Sequence, residues 1–271
     1  MSYYEVLNLQ KEPFSTSPDP YFFYRSSAHE TALKRLEIAI RLRRGLSLIL
    51  GDVGTGKTTL GRTLFQSFSQ EDDFLFHMVL DPTYSSEFQF LSSLTKMFGV
   101  APNFRSTLDY KEAIEKYLFQ KGVDEDRTII LLIDEGQKLT PTFLEILRTL
   151  LNYETNEYKL LQLVLLAQME VLPRLKRIKN FFDRITLKYI INPLDEEETE
   201  DMIEFRLKQA GYNSGAKLFS GGAIRLIYEH TMGYPRKIAV LCHNALEELV
   251  MRDKKIVDES LMLEVIRNEV V

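Results

Sequence analysis

Cysteine occurs once in the 271 residues, at Cys242. A lone cysteine closes no internal disulfide, which excludes the secreted class stapled by such bridges and suits a reducing compartment; Cys242 itself reads as a small core residue. Long apolar runs are also missing. The longest, Ile129 to Ile133 and Leu163 to Ala167, fall far short of the roughly 20 residues that a membrane-crossing helix needs. Met1 to Pro13 lacks a basic region followed by an apolar one, so export through a secretory signal is not expected. The expected location is the cytoplasm, and any work at a membrane face requires a partner that brings the chain there.

A basic surplus is absent as well. The chain carries 34 Lys and Arg against 39 Asp and Glu, a net charge of −5. The last 80 residues hold 10 of the basic and 15 of the acidic side chains, so all the excess negative charge lies beyond residue 191. The clusters Arg41, Arg43, Arg44 and Arg174, Lys176, Arg177, Lys179 read as solvated helix faces, and nothing in the balance demands a nucleic-acid partner. What the chain does have is an ordinary globular composition, 45% hydrophobic and 27% charged, with the length of one large domain or one plus a smaller one.

The segment Met1 to Tyr24 is rich in aromatics and prolines and predicts an irregular, aromatic-anchored lead-in. From Ser26 the apolar residues Ala28, Ala32, Leu33, Leu36, Ala39 and Ile40 recur at helical spacing, ending at Gly45. Five short aliphatic runs follow, Leu46 to Leu50, Phe74 to Leu80, Thr128 to Ile133, Leu160 to Ala167 and Ile185 to Ile191, separated mainly by helical stretches. Runs apolar on both faces with helices between them predict an α/β core, a parallel sheet covered on both sides. After Asn192-Pro193 the pattern becomes purely helical, over Glu196 to Ala210, Gly222 to His230, Pro235 to Met251 and Asp258 to Asn268. The expected division is a lead-in and helix over 1–44, a core over 45–192 and a helical domain over 193–271.

The string Gly51-Asp52-Val53-Gly54-Thr55-Gly56-Lys57-Thr58 satisfies the P-loop pattern G-x-x-x-x-G-K-[ST], and it stands directly after an apolar strand and before a helical stretch, where the chemistry requires it. Glycines let backbone N–H groups wrap phosphates and the helix N-terminus adds positive potential. Lys57 is expected on the β- and γ-phosphates of ATP and the Thr58 hydroxyl on Mg²⁺, with Thr59 completing the loop. Thr128 to Ile133 is an apolar strand ending in Asp134 and Glu135. Asp134 is expected in the Mg²⁺ shell, and Glu135 as the group that polarises the attacking water. Gln168, at the end of the fourth strand, stands where a polar side chain contacts the γ-phosphate or orients the water. Arg184, before the fifth strand, is a candidate arginine finger reaching a neighbouring subunit's nucleotide, with Arg174 and Arg177 as competing candidates. In Gly233-Tyr234-Pro235-Arg236 the proline fixes a helix start, which directs Arg236 toward the γ-phosphate if the helical domain folds over the nucleotide.

Together these motifs resemble an AAA+ ATPase, and the wording is closer still to the general secretory pathway protein A (ExeA-like) ATPases. The resemblance is carried by Pro13-Phe14-Ser15 with Ser17-Pro18-Asp19-Pro20, Asp134 to Leu139, Leu147 to Thr155, Lys159 to Gln168, Gly233 to Ile238 and Leu241-Cys242, nearly the whole chain. It implies a five-stranded core in the order 5-1-4-3-2, a C-terminal helical lid, and nucleotide-driven homo-oligomers. It also implies a role beside envelope secretion, pilus or polysaccharide-export machinery, at the cytoplasmic face of the inner membrane. Gly136 stands where the family commonly has Ala, and Ala167 where it commonly has Gly. Many members continue into a transmembrane helix and a peptidoglycan-binding domain, and these 271 residues include neither. Two other readings stay open. One is a DNA transposition regulator of the TniB and TnsC type, an AAA+ relative that binds duplex DNA, against which the acidic lid and neutral core argue. The other is a nucleotide-gated scaffold that hydrolyses little.

Overall fold

Five strands form one parallel sheet in the order β2-β3-β4-β1-β5. They are β1 (Leu46–Gly51), β2 (Phe74–Val79), β3 (Thr128–Ile133), β4 (Leu161–Ala167) and β5 (Ile185–Ile191). This is the expected order read from the opposite edge. The structure is a computed structural model that describes residues 2–100 and 104–269, so residues 1, 270 and 271 of the sequence-assigned domain bounds lie outside the described residues. The described chain divides into two compact units, one of residues 29–52 and 60–191, the other of residues up to 28, 53–59 and from 192 onward.

The sheet unit follows from its aliphatic runs. The central strands β1, β3 and β4 are buried along their whole length, whereas β2 is half-buried and β5 alternates, as edge strands with one open side do. The register sets Leu50 opposite Ala167 and Ile133 opposite both Leu165 and Val79, so the strands end along one edge of the sheet. Helices α2 (Ser27–Arg41), α3 (Lys57–Phe68), α4 (Glu87–Met97), α5 (Thr107–Phe119) and α6 (Pro141–Leu150) connect them, and the short α7 (Leu172–Arg177) and α8 (Lys179–Phe182) precede β5. At the other end of the sheet Arg43 donates to the Asp126 carbonyl and carboxylate and to the Thr128 hydroxyl, and lies over the Tyr158 ring. Arg41 forks onto Glu71 at 2.7 and 3.0 Å. Two of the three arginines of that basic cluster, Arg41 and Arg43, are thus committed within the chain.

The second unit is helical: α9 (Glu196–Gln209), α10 (Gly221–Thr231), α11 (Pro235–Met251) and α12 (Glu259–Glu269). Its acidity has a local use. The Asp195 carboxylate accepts from the Glu198 N–H at 2.8 Å, and Glu196, Glu197 and Glu198 fill the first turn of α9, where negative charge meets the positive end of the helix. Cys242 is fully buried in the core of this unit, and burial pushes its thiol pKa up. The lead-in belongs here too. It is not irregular throughout, because Tyr3–Val6 forms one helical turn, α1, started by a bond from the Ser2 N–H to the Glu5 carboxylate at 2.8 Å. Phe14 is buried edge-on against Phe219, and Phe22 packs with Leu9 and Ala210. The anchor is Arg206, whose guanidinium donates to the carbonyls of Phe22, Ser15 and Pro13 at 3.2, 3.2 and 3.5 Å. Burial pushes its pKa down to about 10, since among the described residues no carboxylate is bonded to it to offset the lost solvation.

Candidate functional site

The P-loop is a backbone device, and its glycines show why. After β1 ends at Gly51 the chain turns through residues 52–56 and enters α3 at Lys57. Gly54 and Gly56 have φ of +84° and +91°, conformations that a side chain disfavours. The result is a cradle of turned backbone at the N-terminus of a 12-residue helix, with Thr55 and Lys57 buried and Thr58 and Thr59 half-buried. A nucleotide's phosphates fit such a cradle. Each unit offers an oxygen donor of the hard kind that Mg²⁺ takes, the Thr58 hydroxyl in one and the Asp134 carboxylate, 3% exposed, in the other.

Within the unit that holds the loop, α11 starts against it. The Arg236 N–H donates to the Gly54 carbonyl at 3.2 Å, and a Cβ on Gly54 would lie 3.0 Å from the Arg236 Cβ. Gly233 makes that start possible. Its φ is +72°, its carbonyl accepts from the Leu194 N–H at 2.9 Å, and a side chain there would drive into the Leu194 carbonyl. The Arg236 side chain is exposed.

In the sheet unit, the Asp134 N–H extends the β2–β3 ladder by donating to Val79 at 2.8 Å. Glu135 then leaves the strand in the left-handed region, at φ 54° and ψ 35°, an uncommon conformation for a residue with a side chain. Its N–H donates to the Asp134 carboxylate at 2.8 Å. Gly136 continues the turn packed against β4, and Lys138 pairs with Asp81 at 2.8 Å. Gln137, 8% exposed, donates from Nε2 to the Glu135 carboxylate at 2.7 Å and accepts at Oε1 from the Gln168 N–H at 3.2 Å. Sequence reasoning assigned Gln137 no role. The bond depends on the turned backbone of Glu135, which no spacing rule signals.

The three candidate finger arginines differ. Arg174 clasps the Gln137 and Leu139 carbonyls, so it braces its own turn. Arg177 is exposed at the end of α7. Arg184, half-buried between α8 and β5, donates to the Asn180 carbonyl at 2.9 Å and to the Asn152 side chain.

A sheet of this order with a glycine cradle hung from β1 is the architecture of an AAA+ ATPase, a nucleotide-binding enzyme. The chain belongs to the AAA domain family, which matches residues 40–175. Among curated proteins it is similar to the general secretion pathway protein A of Aeromonas hydrophila, 33% identical over 253 residues. That alignment takes in 90% of this chain and 44% of the relative, so the chain spans less than half of that protein. Solved structures share the fold at low identity. The Aeropyrum pernix ORC2 protein in its ADPNP–ADP complexes has a TM-score of 0.70 at 16% identity, over 95% of this chain and 71% of that one. Drosophila ORC bound to DNA has a TM-score of 0.70 at 19% identity, over 100% and 66%. The Thermotoga maritima RuvB branch migration motor has a TM-score of 0.61 at 14%, over 91% and 72%. Among the described residues no helix is long and apolar enough to cross a membrane.

Proposed function

We propose that this chain hydrolyses ATP to ADP and phosphate in a Mg²⁺-dependent reaction that switches its conformation and assembly, in the service of an envelope secretion, pilus or polysaccharide-export system. The observation that carries the hydrolytic reading is the different partnering of two adjacent carboxylates. Asp134 is buried and bonded to a backbone N–H, while Glu135 is turned out of the strand and bonded to a side-chain amide. Two environments for two carboxylates support two tasks. The likeness to a general secretion pathway protein A supports the choice of system.

In this reading residues 45–192 are the catalytic core and 193–271 the lid. Backbone N–H groups of Gly51, Asp52, Val53, Gly54, Thr55 and Gly56 cradle the phosphates, with Thr59 closing the loop, and Lys57 holds the β- and γ-phosphates. Thr58 and Asp134 hold Mg²⁺, which neutralises charge on the phosphate oxygens when bound. Glu135 orients a water and takes its proton as the water oxygen bonds to the γ-phosphorus and the bond to the β,γ-bridging oxygen breaks. Gln168 and Arg236 contact the γ-phosphate, and Arg184 of a neighbouring copy meets the charge of the transition state. The homo-oligomer works in the cytoplasm, and its secretion-system partner brings it to the inner membrane.

Phosphate release measured with Mg²⁺ and with EDTA, alongside binding of a fluorescent ATP analogue, tests this. Lys57→Ala should abolish binding. Glu135→Gln should bind ATP and lose on the order of 3 kcal/mol or more of barrier lowering, as removal of one catalytic polar group does. Turnover at the wild-type rate in Glu135→Gln, or without Mg²⁺, overturns the mechanism.

A further inference from the structure

Gln137 joins two groups to which the mechanism gives separate tasks. Its amide is almost fully buried, and both ends are used: Nε2 on the Glu135 carboxylate at 2.7 Å, Oε1 on the Gln168 N–H at 3.2 Å. The orientation of this amide is fixed by chemistry. A backbone N–H only donates, so the atom facing Gln168 must be the acceptor oxygen, and the nitrogen must then face the carboxylate. The rest of the turn is held independently of that side chain. Arg174 clasps the carbonyls of Gln137 and Leu139, and Gly136 lies against Leu166 and Ala167 with no room for slack. With its own backbone braced in this way, the Gln137 side chain is not needed to close the turn, and its two bonds serve the groups at its ends.

We infer that Gln137 is a positioning residue for hydrolysis: it sets the direction of the Glu135 carboxylate and ties that direction to the end of β4, where Gln168 stands. The inference rests on the proposed role of Glu135. A carboxylate on a flexible stem has several rotamers, and one charge-assisted bond from a buried amide selects among them. Because the same amide is bonded to the Gln168 backbone, a shift of the β4 end when the γ-phosphate is engaged moves the donor that holds Glu135. The water is then oriented only when phosphate is in place. Misplacement of a reacting group by about 1 Å is enough to cost on the order of 10²-fold in rate.

Two variants and one background test this. Gln137→Met keeps the volume and removes both bonds. Gln137→Glu keeps an acceptor for the Gln168 N–H and replaces the donor to Glu135 with a second carboxylate. Both should lower kcat about 10- to 100-fold, the range for a lost hydrogen bond to a charged group, with affinity for a fluorescent ATP analogue within about two-fold of wild type. In single-turnover assays in the Glu135→Gln background, Gln137→Met should cost less than about two-fold more, because the carboxylate that Gln137 directs has been replaced by an amide that takes no proton. A kcat within about two-fold of wild type in both variants overturns the inference. So does an equal loss in both backgrounds, which would mean that Gln137 acts through the fold. If melting shows Gln137→Met to be unfolded, Gln137→Glu decides by the same criteria. The role of Glu135 fails separately, by wild-type turnover in Glu135→Gln alone.

Discussion

The Cβ that Gly136 lacks would lie 3.3 Å from the Cβ of Ala167 and 3.2 Å from the Leu166 carbonyl oxygen. At these two positions the resemblance drawn from the sequence implies Ala and Gly, where this chain has Gly and Ala. They face each other. The contact between the Glu135 turn and β4 holds one methyl, that of Ala167, and a second would be crowded there.

The two substitutions should therefore be coupled. Gly136→Ala alone is expected to destabilise the protein by about 1 kcal/mol through overpacking. In an Ala167→Gly background the same change should cost less, with a coupling energy of about 0.5 to 1 kcal/mol in a double-mutant cycle by urea unfolding. Strict additivity would show that the two sites do not share one space.

The proposed arginine finger makes activity a property of a pair of subunits. Specific activity should rise with protein concentration, and ATP should raise the mass seen by light scattering. Arg184→Ala should keep ATP binding and lose roughly 10³-fold in rate. Mixed with Lys57→Ala, it should regain activity, since each copy supplies what the other lacks. Hetero-oligomers that form and stay inactive would assign the finger elsewhere, with Arg177 the next candidate.

A pH-dependent stability should come from His77. Burial pushes its imidazole down to about 4 from an ordinary value of 6.5, and its Nε2 meets the Tyr117 hydroxyl at 3.2 Å. The unfolded chain thus takes up the proton more readily than the folded one. Its stabilisation is complete above about pH 6.5 and is lost as the pH falls toward 4, by about 2 kcal/mol at pH 4.5. Unfolding free energies at pH 7 and 4.5 should differ less by that amount in His77→Gln. An unchanged difference would show that His77 titrates normally.

Duplex DNA should neither bind tightly nor stimulate hydrolysis. Arg41 and Arg43 are bonded to Glu71 and Asp126, and residues 192–271 carry the excess negative charge, so neither offers phosphates a compensating charge. Anisotropy of a labelled duplex with ATP at low salt should show no sub-micromolar binding. Tight binding that weakens roughly 10³- to 10⁵-fold between 50 and 200 mM salt, as expected when six to ten phosphates are neutralised, would favour the transposition-regulator reading.

The central strands were legible because burial on both faces leaves an uninterrupted aliphatic run; β3 and β4 show it along their whole length. The P-loop was legible because its chemistry is local, glycines and a lysine at fixed spacing. What spacing did not show depends on backbone turns and distant partners. The helical turn at Tyr3–Val6 hides among aromatics, and Gln137 reaches Glu135 only because Glu135 adopts a left-handed backbone. The need for glycine at position 233 lies in the Leu194 carbonyl, on the far side of α9 and α10.

The clasp of Arg206 on the Phe22, Ser15 and Pro13 carbonyls bears on how this protein is made. A ribosome delivers the lead-in before the sheet and the helices that receive it after the sheet. Phe14 and Phe22 leave the exit tunnel long before Phe219 and Ala210 exist, so throughout synthesis of the sheet these later partners are missing. The lead-in then reaches its place only after the sheet has been made, and it is the stretch a chaperone would guard until the receiving helices have emerged.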